Sequence, residues 1–201
     1  KLYTNCVYNG NNCTIIQTSD VPVMANLKYF DKTQTGYHVV INDFYLEGNK
    51  NNSNNDGLIL CGYYARVNNV TIRNIGGHGI VVTSYTIDGT EFDGYTMVEG
   101  MINNTKAYSY TVGKYPFYVH SNIIMITDWR LENCIFASEN CTSWMYFDRI
   151  SGWYLTDVQC YGKATENGLY SKFASGAQIE NLTLDGIMSG GLFIDAQIGS
   201  V

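Results

Sequence analysis

The chain reads as an all-β protein wound into a parallel β-helix, and three observations predict it. The first is the stretch Asn68–Ser84, NNVTIRNIGGHGIVVTS. It holds two short apolar-alternating segments, Val70-Thr71-Ile72 and Ile80-Val81-Val82, on either side of a Gly76-Gly77-His78-Gly79 turn. Alternation buries one face of a strand and shows the other. Segments this short cannot bury a face alone, so neighbours above and below must repeat them. The second observation is that they do repeat. Phe44-Tyr45-Leu46, Trp129-Arg130-Leu131, Trp153-Tyr154-Leu155 and Leu182-Thr183-Leu184 share the pattern of Val70-Thr71-Ile72, and Ile75, Cys134, Val158 and Ile187 stand three positions after four of the five segments. The third is a second ladder that follows each first one: Leu58-Ile59-Leu60, Ile80-Val81-Val82, Met145-Tyr146-Phe147, Leu169-Tyr170-Ser171 and Leu192-Phe193-Ile194. Gly57, Gly79, Gly168 and Gly191 precede four of them, as a sharp turn into a strand requires.

First-ladder segments start 26, 59, 24 and 29 residues apart, so the longest step hides one less regular turn. An antiparallel sandwich also has many short strands. Against it stand the order of the paired ladders, which is the same each time, and the presence of only two prolines.

Composition narrows the class. The 201 residues make one domain, 1–201, with a less regular start over 1–36 and an irregular rung or inserted loop over 85–121. Charged residues are only 15% of the chain and aromatic ones 14%, with few segments rich in Ala, Glu, Lys and Leu. A net charge of -6 argues against nucleic acid, because phosphate contacts need clustered Lys and Arg. No apolar run reaches the ~18 residues that suggest a membrane span, and no signal-peptide pattern opens the chain. Starting on Lys1 and stopping in mid-pattern at Val201, it reads as a piece of a longer protein. The six cysteines do not space out as a disulfide framework. Cys134 falls where other turns place an aliphatic residue, and only Cys6 and Cys13 flank a turn they could bridge. Free core thiols suit assembly in a reducing cytoplasm. The sequons at Asn12, Asn51, Asn69, Asn103, Asn140 and Asn181 are expected by chance in so Asn-rich a chain.

In chain order, Thr14-Ile15-Ile16 suggests an early rung and Ala25–Phe30 an edge strand. His38–Ile41 and Phe44–Leu46 begin the repeat, and residues 48–56, GNKNNSNND, form a polar loop. Glu91-Phe92, Tyr95–Val98 and Tyr108–Tyr110 hold the irregular rung, and from Asn122 the repeat returns. Stacking the first ladder gives three outward columns: Asp43, Asn69, Asp128, Gly152 and Asn181; Tyr45, Thr71, Arg130, Tyr154 and Thr183; Glu47, Arg73, Glu132, Thr156 and Asp185. Acids, arginines and tyrosines on rigid strands suit a polyhydroxylated chain; the alternative is a solvated sheet with ladder ion pairs such as Glu47–Arg73. The second ladder shows Ile59, Val81, Tyr146, Tyr170 and Phe193 outward, an apolar stripe expected to meet another subunit, a covering segment or sugar rings.

The rungs NNVTIRNIGGHGIVVTS, IENLTLDGIMSGGLFIDA and NNDGLILCG resemble the right-handed β-helix of the pectin-lyase-like group, and within it bacteriophage tailspikes and tail appendages. The resemblance covers about residues 37–84 and 122–198. It implies a virion component, homotrimeric through the second-ladder stripe, that binds and often cleaves a bacterial surface polysaccharide. Gly77-His78-Gly79 with Asn55-Asp56-Gly57 is similar to part of the polygalacturonase signature, whose paired Asp-Asp and Arg-Ile-Lys are missing, so His78 is read as a turn residue. Glycoside hydrolysis needs two carboxylates ~5–5.5 or ~6.5–9.5 Å apart. Glu132 and Asp185, two rungs apart in one expected column, would be ~9–10 Å apart at Cα and make the catalytic pair. Asp128 and Asp157 are substitutes, and Tyr45, Arg73, Asp128, Arg130 and Tyr154 are the expected sugar contacts. A lyase using Arg73 or Arg130, a non-catalytic binding module and a structural shaft are the alternatives. No cofactor is implied, and His38, His78 and His120 lack the neighbours of a metal site.

Overall fold

The computed structural model describes residues 1–31, 33, 37–92 and 98–194. These residues wind into a parallel β-solenoid of about six turns, 60% strand and 2% helix. Each turn has three faces. The first two are carried together by β1 (Val7–Ile16), β3 (Val40–Glu47) and β5 (Arg66–Ile75). Further along they separate into β7 (Val98–Asn103) and β8 (Lys106–Ser109), then β10 (Ile126–Glu132) and the start of β11 (Ile135–Ser151). They continue as β12 (Tyr154–Thr156) with β13 (Gln159–Ser175), and β14 (Gln178–Glu180) with β15 (Thr183–Ile187). The third face is built from β2 (Met24–Ala25), β4 (Leu58–Leu60), β6 (Ile80–Thr83), β9 (Phe117–His120), the middle of β11 and β13, and β16 (Gly190–Ile194).

Left-handed residues make the corners. One column of them is His38, Tyr64, Glu99, Asp128, Gly152 and Gly176; five residues later on every turn comes another, Asp43, Asn69, Asn104, Asn133, Asp157 and Asn181. Asn and Asp tolerate this conformation better than other residues with a side chain. Their side chains also bond from rung to rung: Asn69 Nδ2 donates to Asp43 Oδ1 at 2.7 Å and Asn181 Nδ2 to Asp157 Oδ1 at 3.0 Å. The inward positions lie four and two before the second corner and one and three after it. That rule places Ala65, Val67, Val70 and Ile72, then Trp129, Leu131, Cys134 and Phe136, then Trp153, Leu155, Val158 and Cys160, all buried.

This geometry corrects the expected stacking of the first ladder. The register runs Arg66, Met101, Arg130, Tyr154, Gln178 on the first face, and Thr71, Lys106, Ile135, Gln159, Thr183 on the second. Trp129-Arg130-Leu131 and Trp153-Tyr154-Leu155 therefore lie before the corner, and Val70-Thr71-Ile72 and Leu182-Thr183-Leu184 after it. Apolar–polar–apolar triplets occur on both sides of each corner, so alternation alone cannot tell the faces apart. The expected outward columns mix two faces.

The second ladder stands in the expected register. Leu58, Ile80, Met145, Leu169 and Leu192 align facing inward, and Ile59, Val81, Tyr146, Tyr170 and Phe193 align facing outward. Phe117-Tyr118-Val119 fills the gap in the 59-residue step. The turn expected to be irregular is thus regular from Val98 to His120, while Tyr95–Met97 lie outside the described residues. Its sequence lacks the large apolar triplets of the other turns, because its inward positions are Gly100, Ile102, Thr105 and Ala107. Gly100 is small for a reason: a Cβ there would sit 2.3 Å from the Trp129 ring, which stacks on Trp153 at 5.7 Å in the core.

Residues 27–30 are not the expected edge strand. They form one helical turn, α1 (Leu27–Phe30), which places Tyr29 and Phe30 over Ala25, Ile59 and Val81. His38 likewise belongs to the corner rather than to β3. The polar loop 48–56 closes around fully buried Asn55, whose side chain accepts from the Asn49 N–H at 2.6 Å and donates to Val21 O at 2.8 Å. All six cysteines are free thiols.

Candidate functional site

The first face carries a groove of about 560 Å³. Its floor is the outward column Arg66, Met101, Arg130 and Tyr154, and its wall is the corner column Tyr64, Glu99 and Asp128. A left-handed corner swings each wall side chain beside the floor residues two positions on. Adjacent floor residues are one rung apart, roughly 4.8 Å, which leaves Arg66 and Arg130 about 10 Å apart. The Arg130 guanidinium lies 5.2 Å from the centre of the Tyr154 ring. Gly152 follows Asp128 in the corner column, where a Cβ would meet Asp128 Oδ1 at 2.4 Å. Two guanidiniums, two carboxylates and two tyrosines, Tyr64 and Tyr154, both 39% exposed, thus share one concave surface.

Of the seven residues singled out in the sequence, Asp128, Arg130 and Tyr154 come together here. Tyr45 is exposed on the second face beside Thr14 and Thr71, outside the groove. Arg73 is bound to Glu47 at 2.9 and 3.1 Å, the expected ladder ion pair. Glu132 and Asp185 do not share a column. Glu132 registers with Asn103, Thr156 and Glu180 on the first face, and Asp185 with Tyr161 across the Asn corner. The spacing that recommended them as a hydrolytic pair does not exist, because it rested on the merged register. Asp157 serves the corner by accepting from Asn181. Tyr64, Arg66 and Glu99 were missed; two left-handed corner residues five apart on every turn were the signal that would have found them.

A second concavity, about 470 Å³, lies outside the third face, among Tyr29, Asp56, His78, Tyr85, Lys114, Tyr118 and His120. Asp56 Oδ1 accepts from the His78 N–H at 2.6 Å; burial pushes its carboxyl up to about 6, partly opposed by that hydrogen bond and by Lys114. His78 Nδ1 accepts from the Tyr115 N–H at 3.1 Å, and its ring packs against Tyr118 at 4.6 Å. Burial holds this imidazole well below its ordinary pKa, so it is neutral. The tight approach of Gly77 to Asp56 Oδ1 and of Gly79 to Pro116 O, at 2.3 and 2.5 Å from an added Cβ, explains why glycines flank it. His120 Nδ1 stands 2.9 Å from Asp148 Oδ2 and 2.8 Å from the Tyr118 hydroxyl, with Tyr85 stacked on its ring at 4.4 Å. Among the described residues no three His, Cys, Asp or Glu side chains converge as a metal site requires. No described helix is long and apolar enough to cross a membrane.

A scan of protein-family models, a search of curated proteins and a search of solved structures each found no match.

Proposed function

We propose that the protein is a β-solenoid of the bacteriophage tail-appendage kind, which recognises a bacterial surface polysaccharide along the first-face groove and depolymerises it. The observation that carries this reading is the convergence of Arg66, Arg130, Glu99, Asp128, Tyr64 and Tyr154 on neighbouring rungs. Guanidiniums donate planar, paired hydrogen bonds to carboxylate, phosphate or vicinal hydroxyl groups. The acids accept from sugar hydroxyls, and the hydroxyl groups of the two exposed tyrosines can donate to or accept from them. Strands and corners fixed by parallel ladders hold these groups in place before any ligand arrives, which lowers the entropy cost of binding.

The same proposal includes a homotrimer of solenoids side by side. The outward stripe is covered at one end by Tyr29 and Phe30, but Phe193 is 47% exposed at the other. Along that uncovered end Tyr146, Tyr170 and Phe193 stack on one another at 5.0 and 4.9 Å. Their ring faces are thus already occupied and mainly edges point outward, which favours a protein contact over sugar stacking. Sedimentation at micromolar concentration measures the assembly directly.

The test of recognition is affinity electrophoresis through gels containing purified capsular polysaccharides, O-antigens and teichoic acids. One polysaccharide should retard the protein, and Arg130→Ala and Tyr154→Ala should each weaken that retardation at least tenfold. Retardation unchanged in both variants refutes the groove.

A further inference from the structure

The groove leaves the third-face cavity unexplained. A cover for the outward stripe alone would close down on it. Here residues 84–92 are pinned to α1, with the Ile87 N–H donating to Tyr29 O at 2.8 Å, yet about 470 Å³ stays open against the strands. Polar groups collect at one end of this space. Asp56, His78 and Tyr115 stand on three successive rungs, each two positions before the aligned residues Leu58, Ile80 and Phe117, and Lys114 adjoins Tyr115. The Tyr115 N–H can only donate, and it bonds to His78 Nδ1 at 3.1 Å, so this neutral ring carries its proton on Nε2. Stacking on Tyr115 at 5.4 Å and packing on Tyr118 at 4.6 Å fix the ring, and among the described residues the Nε2 donor has no partner. Asp56 accepts from the His78 N–H through Oδ1, and its Oδ2 has no partner among the described residues. Lys114 makes no ion pair among them. Burial raises the Asp56 pKa, and the His78 N–H and then Lys114 oppose the rise, so the ammonium lies within reach of the carboxyl. Ile87, 53% exposed, and Val81 give the cavity an apolar side. His120 lies five positions along the strand from Tyr115 and is engaged with Tyr118 and Asp148, so it belongs to the far end.

We propose that the Asp56 end of this cavity is a binding site for one uncharged sugar ring, held by two neighbouring hydroxyls. One hydroxyl donates to Asp56 Oδ2. The oxygen of the next accepts from His78 Nε2 and Lys114 Nζ, and the C–H edges of the ring lie against Ile87 and Val81. The opposed charges choose the class of ligand. An anionic sugar gains from Lys114 but meets the Asp56 carboxylate, and a cationic one gains from Asp56 but meets Lys114. A hydroxyl both donates and accepts, so a pair of them satisfies both groups without adding a charge. The reach agrees, because Asp56 and Lys114 stand two rungs apart, roughly 10 Å at Cα, and both line the space between. Its volume is that of a small-molecule site. The fixed His78 ring and the hydrogen bond to Asp56 Oδ1 set two of the three polar groups before the ligand arrives. The site lies on another face from the groove and does not depend on it.

The experiment titrates the full chain, labelled at its Ile, Val and Met methyls, with free monosaccharides: neutral hexoses and N-acetylhexosamines, hexuronates, and hexosamines. A single ring makes few contacts, so at least one neutral member should bind with a dissociation constant of ~1–10 mM, read from the Ile87 and Val81 methyl resonances. The Met101 methyl, in the groove, should not move with them. Asp56→Asn keeps an oxygen for the His78 N–H but puts a donor in place of the Oδ2 acceptor, and Lys114→Met removes the ammonium. Each should weaken binding at least fivefold, and methyl resonances unchanged outside the cavity show that both variants are folded. The site is overturned if no member moves the Ile87 and Val81 methyls, or if either variant binds within twofold of wild type. It is also overturned if the sugar moves Met101 instead, which places the ligand in the groove. Binding confined to hexuronates or to hexosamines overturns the class of ligand. Failure of the polysaccharide reading is seen separately, as retardation in gels that Arg130→Ala and Tyr154→Ala leave unchanged.

Discussion

Glu91 gives the sharpest test of how the cavity wall is held. Its Oε1 accepts from Ser84 Oγ at 2.8 Å, Ser121 Oγ at 3.0 Å, and the N–H groups of Ile123 and Asn122 at 3.0 and 3.1 Å. One carboxylate therefore ties residues 84–92 to residues 121–123, so that Tyr85 of the cavity lies on the first stretch and His120, the last residue of β9, directly precedes the second. Burial on its own would raise the Glu91 pKa, but the bonds from Ile123, Ser84, Asn122 and Ser121 outweigh it and bring it from 4.5 to about 2. Such a difference corresponds to a ceiling of roughly 3 kcal/mol of folded-state stabilisation by linkage. Partial exposure reduces it, since screened carboxylates contribute less and Ile123, 74% exposed, can turn its N–H to water. Glu91→Gln keeps an acceptor oxygen and loses the charge, so the expected loss is about 1–2 kcal/mol at pH 7. Because the folded pKa is depressed, the stabilisation is complete above about pH 4.5 and disappears as pH falls towards 2. Urea unfolding of both proteins at pH 7, 4.5 and 2.5 should show the difference shrinking with acidity. Amide exchange at Asn122 and Ile123 should be faster in the variant at pH 7. A difference that stays constant across this range, or unchanged exchange at those two amides, would refute the reasoning.

The remaining predictions concern the frame. Gly100→Ala drives a methyl into the Trp129 ring, 2.3 Å from the new Cβ, and should cost about 1–3 kcal/mol in thermal unfolding. Trp153→Phe removes the indole donor to Ile126 O at 2.7 Å together with the stack on Trp129, and should cost about 2–4 kcal/mol by urea titration. Asp157→Ala strains a left-handed corner at φ 53° and breaks the bond from Asn181, whereas Asp157→Gly only breaks the bond; Ala should be less stable than Gly by about 1 kcal/mol. Ser171 is buried in an inward column otherwise filled by Leu60, Val82, Val119, Phe147 and Ile194, and Ser171→Val should raise the melting temperature by a few degrees.

How much of this was legible beforehand follows from the period of the signal. On the third face each turn contributes one short strand, and Leu58-Ile59-Leu60 or Leu169-Tyr170-Ser171 could be stacked correctly by alternation and the glycine before them. The outward stripe was therefore found in the right register. On the first two faces, a left-handed residue such as Asn133 or Asp157 resets the alternation in mid-run. Trp129-Arg130-Leu131 then looks the same as a triplet beyond the corner. One wrong choice moved Glu132 and Asp185 into a single column that the chain does not have. It left Asp128, Arg130 and Tyr154 unharmed, because they lie on the same side of that corner.

The sequence by itself determined the class of fold, the repeat, the core-facing positions and the acidic, aromatic character of the surface. These follow from local periodicity, which is written in consecutive residues. Only the tertiary structure decided which outward residues are neighbours. It brought Arg66 and Glu99 beside Asp128, Arg130 and Tyr154, and it set His120 against Asp148 with Asp56 on the same cavity. Those contacts join residues about one or more whole turns apart in the chain. Register sets them, and a single left-handed corner residue is enough to change it.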